Sequence, residues 1–212
     1  MSIRTILFDA DGVLQRATSL RRSLWVQLLG GVDGSVDAFL EDVFSAEHTC
    51  YNGKQDFEPM LGALMGRWSC TGDLTAALRA WTAIEVDHRI LEIIATLRRS
   101  GCRCYLASNQ EPYRASYMSR TLAYRTVFDG EFYSCTVGYA KPDPAYFRAI
   151  LNAIGVAADE VLFIDDLPPN VEAARSVGLR ASLFEPGQPE RWHDHMRQLL
   201  ASHGWPQAEP PR

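Results

Sequence analysis

The sequence predicts an α/β fold, a doubly wound parallel sheet carrying an inserted all-helical domain near its start. Three observations predict it. Short, predominantly apolar runs alternate with helical segments from residue 87 onward, as strand–helix–strand units require. Those runs, Ile3–Phe8, Cys102–Ala107 and Val161–Ile164, suit strands covered on both faces. Residues 16–86 stand between the first run and the next unit, too many for one crossover, and have helical periodicity of their own. The expected division is therefore a core of residues 1–15 and 87–203, an insertion at 16–86, and a disordered proline-rich tail at 204–212.

The elements follow in order. Ile3–Phe8 is a buried strand that ends at Asp9-Ala10-Asp11-Gly12. Within the insertion, Leu24–Leu28, Val36–Phe44, Phe57–Met65 and Asp73–Ile84 read as helices, separated by Gly30-Gly31, Gly34, Tyr51-Asn52-Gly53 and Thr71-Gly72. Asp87–Arg99 places Ile90, Ile93, Ile94 and Leu97 on one face and is closed by Gly101. A strand over Cys102–Ala107 ends at Ser108-Asn109. Glu131–Ser134 and Arg180–Leu183 are weaker strands. Ala145–Ile154 is a helix closed by Gly155, with Asp143 as its N-cap. Val161–Ile164 ends at Asp165-Asp166, and the prolines at 168 and 169 open a helix that stops at Gly178. His193 and His195 belong on a solvated helix face, and Trp25, Trp68 and Trp81 are packing residues of the insertion.

Composition bounds the function. The 212-residue chain is 47% hydrophobic and 22% charged, with net charge −5. That apolar content offsets ordering entropy, so disorder is excluded as the dominant state. The acidic balance argues against a nucleic-acid or anionic-membrane binder. No apolar stretch is long enough to span a bilayer, and Met1–Thr5 does not begin a signal peptide. Five cysteines at irregular spacing suit reduced, packed thiols and a cytoplasmic compartment.

Chemistry enters where the strands end. Asp9 and Asp11, Ser108, and Asp165 with Asp166 close three different buried strands, and parallel strands bring such ends to one edge. Carboxylates gathered there repel each other, so a positive partner is needed. A hard divalent cation such as Mg²⁺ suits oxygen donors, and Lys141 is the nearby basic side chain. Only Lys54 and Lys141 are lysine among 21 basic residues, which marks Lys141 out.

Four ordered motifs, Phe8-Asp9-Ala10-Asp11-Gly12-Val13-Leu14, Ala107-Ser108-Asn109, Lys141-Pro142-Asp143-Pro144 and Ile164-Asp165-Asp166 with Asn170, resemble the phosphatase branch of the haloacid dehalogenase superfamily. The insertion lies where that family carries its helical C1 cap over a Rossmann-like core. The resemblance implies roles. Asp9 becomes the nucleophile, Asp11 the general acid and base, and Ser108 with the Asn109 backbone N–H the phosphoryl-oxygen donors. Lys141 becomes the charge neutraliser, contacting both Asp9 and a phosphoryl oxygen. Mg²⁺ would be held by Asp9, the Asp11 carbonyl, Asp166 and, directly or through water, Asp165. Asn170 either supports the acidic pair or is a first-turn residue. The implied partner is a small phosphorylated metabolite; oligomeric state and substrate stay open.

The rivals are limited. The dehalogenases of this family lack the second acid that Asp11 supplies, and its sugar phosphomutases carry a histidine soon after the first motif, absent from Gln15–Arg22. A receiver-type phospho-accepting module places its acid pair first in the chain, whereas here the adjacent acids come last. A catalytically silent binding protein would have lost a motif position. From the insertion, Lys54, Arg67, Arg21 and Arg22 are the cations that could reach a substrate.

Overall fold

The computed structural model describes residues 3–31, 33–185 and 187–205; most of the tail expected to be disordered, 206–212, lies outside them. Five parallel strands form the main sheet: β1 (Thr5–Phe8), β4 (Arg103–Ser108), β5 (Gly130–Tyr133), β6 (Val161–Asp165) and β7 (Arg180–Leu183), in the order β5-β4-β1-β6-β7. Two further strands, β2 (Gln15–Ala17) and β3 (Ile84–Val86), make a separate antiparallel ribbon.

Strand alternation sorts the core into two layers. Ile6, Phe8, Cys104, Leu106, Leu162 and Ile164 face one way and pack on α5 (His88–Arg99), α6 (Pro112–Arg120), the short α7 (Tyr124–Val127) and α11 (Trp192–Ser202). Leu7, Tyr105, Ala107, Val161 and Phe163 face the other way, onto α9 (Pro144–Ile154) and α10 (Pro168–Ser176). The short α8 (Ser134–Val137) follows β5. The sheet is thus doubly wound, with its three central strands buried on both faces, which is why their sequences read as near-continuous apolar runs.

The insertion builds its own apolar centre. Helices α1 (Arg21–Leu28), α2 (Val36–Cys50), α3 (Phe57–Arg67) and α4 (Leu74–Trp81) enclose Trp25, Val36, Phe39, Val43, Leu61, Ala77 and Trp81. Trp25 and Trp81 are fully buried. The expected helix over Asp73–Ile84 stops at Trp81, because the chain turns out to pair Ile84 with Ala17. That ribbon, unforeseen in the sequence, is the neck between insertion and core, tied below by Asp87 N–H donating to the Leu14 carbonyl at 2.9 Å.

Candidate active site

The strand register assembles the site. Phe8 sits opposite both Leu106 and Ile164, so the next row across the three central strands holds Asp9, Ala107 and Asp165. One buried ammonium meets that whole row. Lys141 Nζ lies 2.8 Å from Asp9 Oδ1 and 2.7 Å from Asp165 Oδ2, and donates to the Ala107 carbonyl at 2.9 Å. All three of its hydrogens therefore have protein acceptors, and no fourth is left for the phosphoryl contact expected from the motif. Burial opposes its charge, yet Asp9 and Asp165 hold its pKa above the usual lysine range. Asn109 fixes the loop that delivers it: its side-chain amide donates to the Lys141 carbonyl and accepts from the Lys141 N–H, each at 2.8 Å. Below that loop, Asp143 caps α9 by accepting from the Ala145 N–H.

Asp165 is fully buried and saturated. Its Oδ1 accepts from the Leu167 N–H and from Asn170 Nδ2, and its Oδ2 accepts from Lys141 and Asn170 Nδ2. Asn170 therefore supports the acid while standing in the first turn of α10. Asp166 projects differently, against Gly12. That glycine has φ +76°, and a Cβ on it would overlap the Asp166 carboxylate, so the position needs both the backbone freedom and the empty space. Asp9, Asp165 and Asp166 each offer an oxygen, all within 4.8 Å of one another. Burial, with Asp165 alongside, pushes Asp166 up to about 6. Burial likewise raises Asp9 to about 7, against the opposing pull of Lys141, with Asp165 and Asp11 adding to the rise. Three crowded acids and one lysine lack positive charge, and an all-oxygen donor set of this kind fits a hard divalent cation.

Asp11 is clamped from the other side. Its Oδ1 accepts from Arg114 Nη2 (2.8 Å) and Gln15 Nε2 (3.0 Å), and its Oδ2 accepts from Arg114 Nη1 and Gln110 Nε2, both at 2.8 Å. Burial disfavours the charge, but the Arg114 guanidinium and these hydrogen bonds outweigh it and lower the pKa. Gln110 also donates to Ser108 Oγ at 3.1 Å, which leaves the Ser108 hydroxyl hydrogen to point elsewhere. Gln15, Gln110 and Arg114 went unnoticed in the sequence.

The insertion supplies the roof with one face of α2. Phe44, Glu47, His48 and Tyr51 stand at i, i+3, i+4 and i+7, while Val36, Phe39, Val43, Ala46 and Cys50 turn into the insertion's own core. His48 and Tyr51 line a cavity of about 520 Å³ with Asp9, Ser108, Lys141 and Asp166. Just past them Gly53 abuts the Cys135 backbone closely enough that a Cβ would collide with its carbonyl. Of the insertion cations considered from the sequence, Arg21 lines an adjoining cavity. Arg22 is bound to Asp37 at the surface, Lys54 is exposed, and Arg67 is 64% exposed and paired with Asp42. Lys54 and Arg67 line neither cavity at the strand ends. His193 and His195 lie half-buried on α11, away from these cavities.

The family model of haloacid dehalogenase-like hydrolases matches residues 3–178. The chain belongs to that family. It is accordingly a hydrolase. The HAD-like relatives include D-ribitol-5-phosphate phosphatase of Bacteroides thetaiotaomicron, 29% identical over 93% of this chain and 97% of the relative. Drimenol cyclase drtB of Aspergillus calidoustus is 33% identical over 58% of this chain, which spans only 24% of that larger protein. Among solved structures, a HAD family enzyme of B. thetaiotaomicron in complex with magnesium has the same fold, with TM-score 0.75 and 19% identity, covering 89% of this chain and 96% of that one. Among the described residues, no helix is long and apolar enough to cross a membrane.

Proposed function

We propose that the protein is a Mg²⁺-dependent phosphatase that hydrolyses a small phosphomonoester through an aspartyl-phosphate on Asp9. The observation that carries this reading is the Asp9–Lys141–Asp165 row with Asp11 beside it, four motif side chains from three separate parts of the chain meeting at one sheet edge. The near-full-length likeness to a sugar-alcohol phosphatase supports the same chemistry.

Lys141 holds Asp9 by Oδ1 and leaves Oδ2 for in-line attack on phosphorus, with cleavage of the ester P–O bond. Ser108 Oγ and the Asn109 backbone N–H serve the phosphoryl oxygens. Asp11, released from the Arg114 clamp and protonated from solvent, gives that proton to the departing oxygen. As the carboxylate it then takes a proton from the water that attacks the phospho-aspartate, returning Asp9 and inorganic phosphate. Asp9, the Asp11 carbonyl and Asp166 would hold Mg²⁺, and Asp165, whose oxygens are committed to protein donors, acts on it at one remove. The ion, when bound, offsets the repulsion between anionic nucleophile and anionic phosphate. The insertion acts as a cap that excludes bulk water and sets substrate choice. Five free thiols are in keeping with a cytoplasmic location.

The test is phosphate release from 4-nitrophenyl phosphate with and without Mg²⁺. Turnover should depend on the ion and fall by about 10³-fold or more in Asp9→Asn. Undiminished turnover in that variant refutes the covalent route.

A further inference from the structure

Beside the reaction cavity lies a second one, of about 400 Å³, lined by Arg21, Phe44, Glu47, Tyr51 and Arg114. The two share a wall made of Asp11, Gly12 and Tyr51. Arg114 clamps Asp11, but Arg21, Phe44, Glu47 and Tyr51 take no part in that clamp.

Its polar atoms are incompletely partnered. Arg21 lies over the Trp81 ring at 4.8 Å, and its Nε and Nη2 are buried with no hydrogen-bond partner. Those two nitrogens form one edge of the guanidinium. Glu47 is 4% exposed, receives Tyr51 OH on Oε2 at 3.1 Å, and has Oε1 buried without a partner. Arg114 Nε is likewise unpartnered. A buried polar atom left unpaired is costly, and Arg21, Glu47 and Arg114, each carrying such an atom, all line this one cavity. Arg21 and Glu47 feel each other's charge without hydrogen-bonding. A hydroxyl between them would accept from the guanidinium and donate to the carboxylate. A carboxylate in the ligand would satisfy Arg21 but stand against Glu47 and Asp11.

Resting on the phosphatase reading, we infer that Arg21 and Glu47 form a hydroxyl-reading subsite, and that the substrate is a polyhydroxylated phosphomonoester of the sugar or sugar-alcohol class. Tyr51 fixes the Glu47 carboxylate, and the Phe44 and Trp81 rings flank Arg21.

The experiment compares a pentitol 5-phosphate with n-pentyl phosphate, equal in chain length but lacking the hydroxyls, with 4-nitrophenyl phosphate as the generic substrate. The wild-type kcat/KM should favour the pentitol ester by about 10²-fold or more, because a site built to bond hydroxyls is left unpaired by the alkyl chain. Glu47→Gln and Arg21→Lys should each shrink that ratio by about tenfold. Equal kcat/KM for the two esters in the wild type, a measurement that needs no variant to fold, overturns the subsite. So does a ratio unchanged in both variants, or a preference for a phosphorylated hydroxy acid over the pentitol ester. Failure to hydrolyse any of these esters with Mg²⁺, 4-nitrophenyl phosphate included, overturns the phosphatase reading itself, and the subsite with it.

Discussion

Lys141 shows what a single side chain must satisfy here. Its ammonium serves acceptors on three neighbouring strand ends, a geometry that suits a compact tetrahedral donor and not a planar fork. Lys141→Arg should therefore stay folded yet lose about 10²-fold or more in kcat, on the scale of one preorganised electrostatic contact; near-wild-type kcat would mean that charge alone suffices. Glu47 carries a second prediction. Burial lifts its carboxyl to about 7, with Asp11 and Glu111 adding to the rise and Arg114 and Tyr51 opposing it, and Arg21 lines the same cavity. The folded state thus binds a proton that the unfolded state releases between pH 4.5 and 7, so ionisation costs stability as pH rises through that window. In urea titrations the Glu47→Gln variant should gain on the wild type across it, by on the order of 3 kcal/mol at most, and the gap should be flat above it. A pH-independent difference would assign the effect to packing instead.

At the scale of elements, α4 and α6 meet through Trp81. Its indole N–H donates to Glu111 Oε1 at 3.2 Å, its ring packs on Phe57, and both Arg21 and Arg114 lie over it. Trp81→Ala should cost about 3–5 kcal/mol, read as a lowered denaturation midpoint, since it opens a cavity and removes one of the donors to Glu111. A loss below about 1 kcal/mol would show that the junction relaxes freely. Sequence legibility divides along the same lines. β1, β4 and β6 were readable because burial on both faces removes polar alternation, and the motif acids and Ser108 were readable because they stand at the ends of those strands. The β2–β3 ribbon was not, since three residues per strand, with Gln15 alone among them buried, carry no period. α6 escaped notice because Ala115 and Met118 are its only buried apolar residues. With it went Arg114, whose bond to Asp11 joins positions 103 residues apart. No local pattern announces such a pair. The site-facing row of α2 did have a signal, the i, i+3, i+4, i+7 spacing of Phe44, Glu47, His48 and Tyr51, but a polar row on an amphipathic helix reads equally well as a solvated face.

The whole molecule has separate apolar cores, one inside the insertion and two flanking the sheet, and the insertion joins the rest by a two-stranded neck and a few contacts. Cooperative units of this kind open at different free energies. Amides of α1–α4 should exchange through a partial opening that leaves β1, β4 and β6 protected, and mass-resolved hydrogen exchange at increasing urea should separate the two groups. Merging of both into one global opening would mean that the Trp81–Glu111 and Gly53–Cys135 contacts weld the insertion to the core.

The two faces of α2 carry a consequence for how such a protein diversifies. A helix is a screw, and each residue advances it by about 100°. Point changes along the row of Phe44, Glu47, His48 and Tyr51 alter what the roof presents without disturbing the row of Phe39, Val43, Ala46 and Cys50 behind it. Inserting or deleting one residue between Val36 and Phe44 does the opposite. An added residue before Val43 would swing Val43, Ala46 and Cys50 over the reaction cavity, and a deleted one would drive Glu47 towards the interior of the insertion. Along this helix, new selectivity is open to substitution and closed to changes of length.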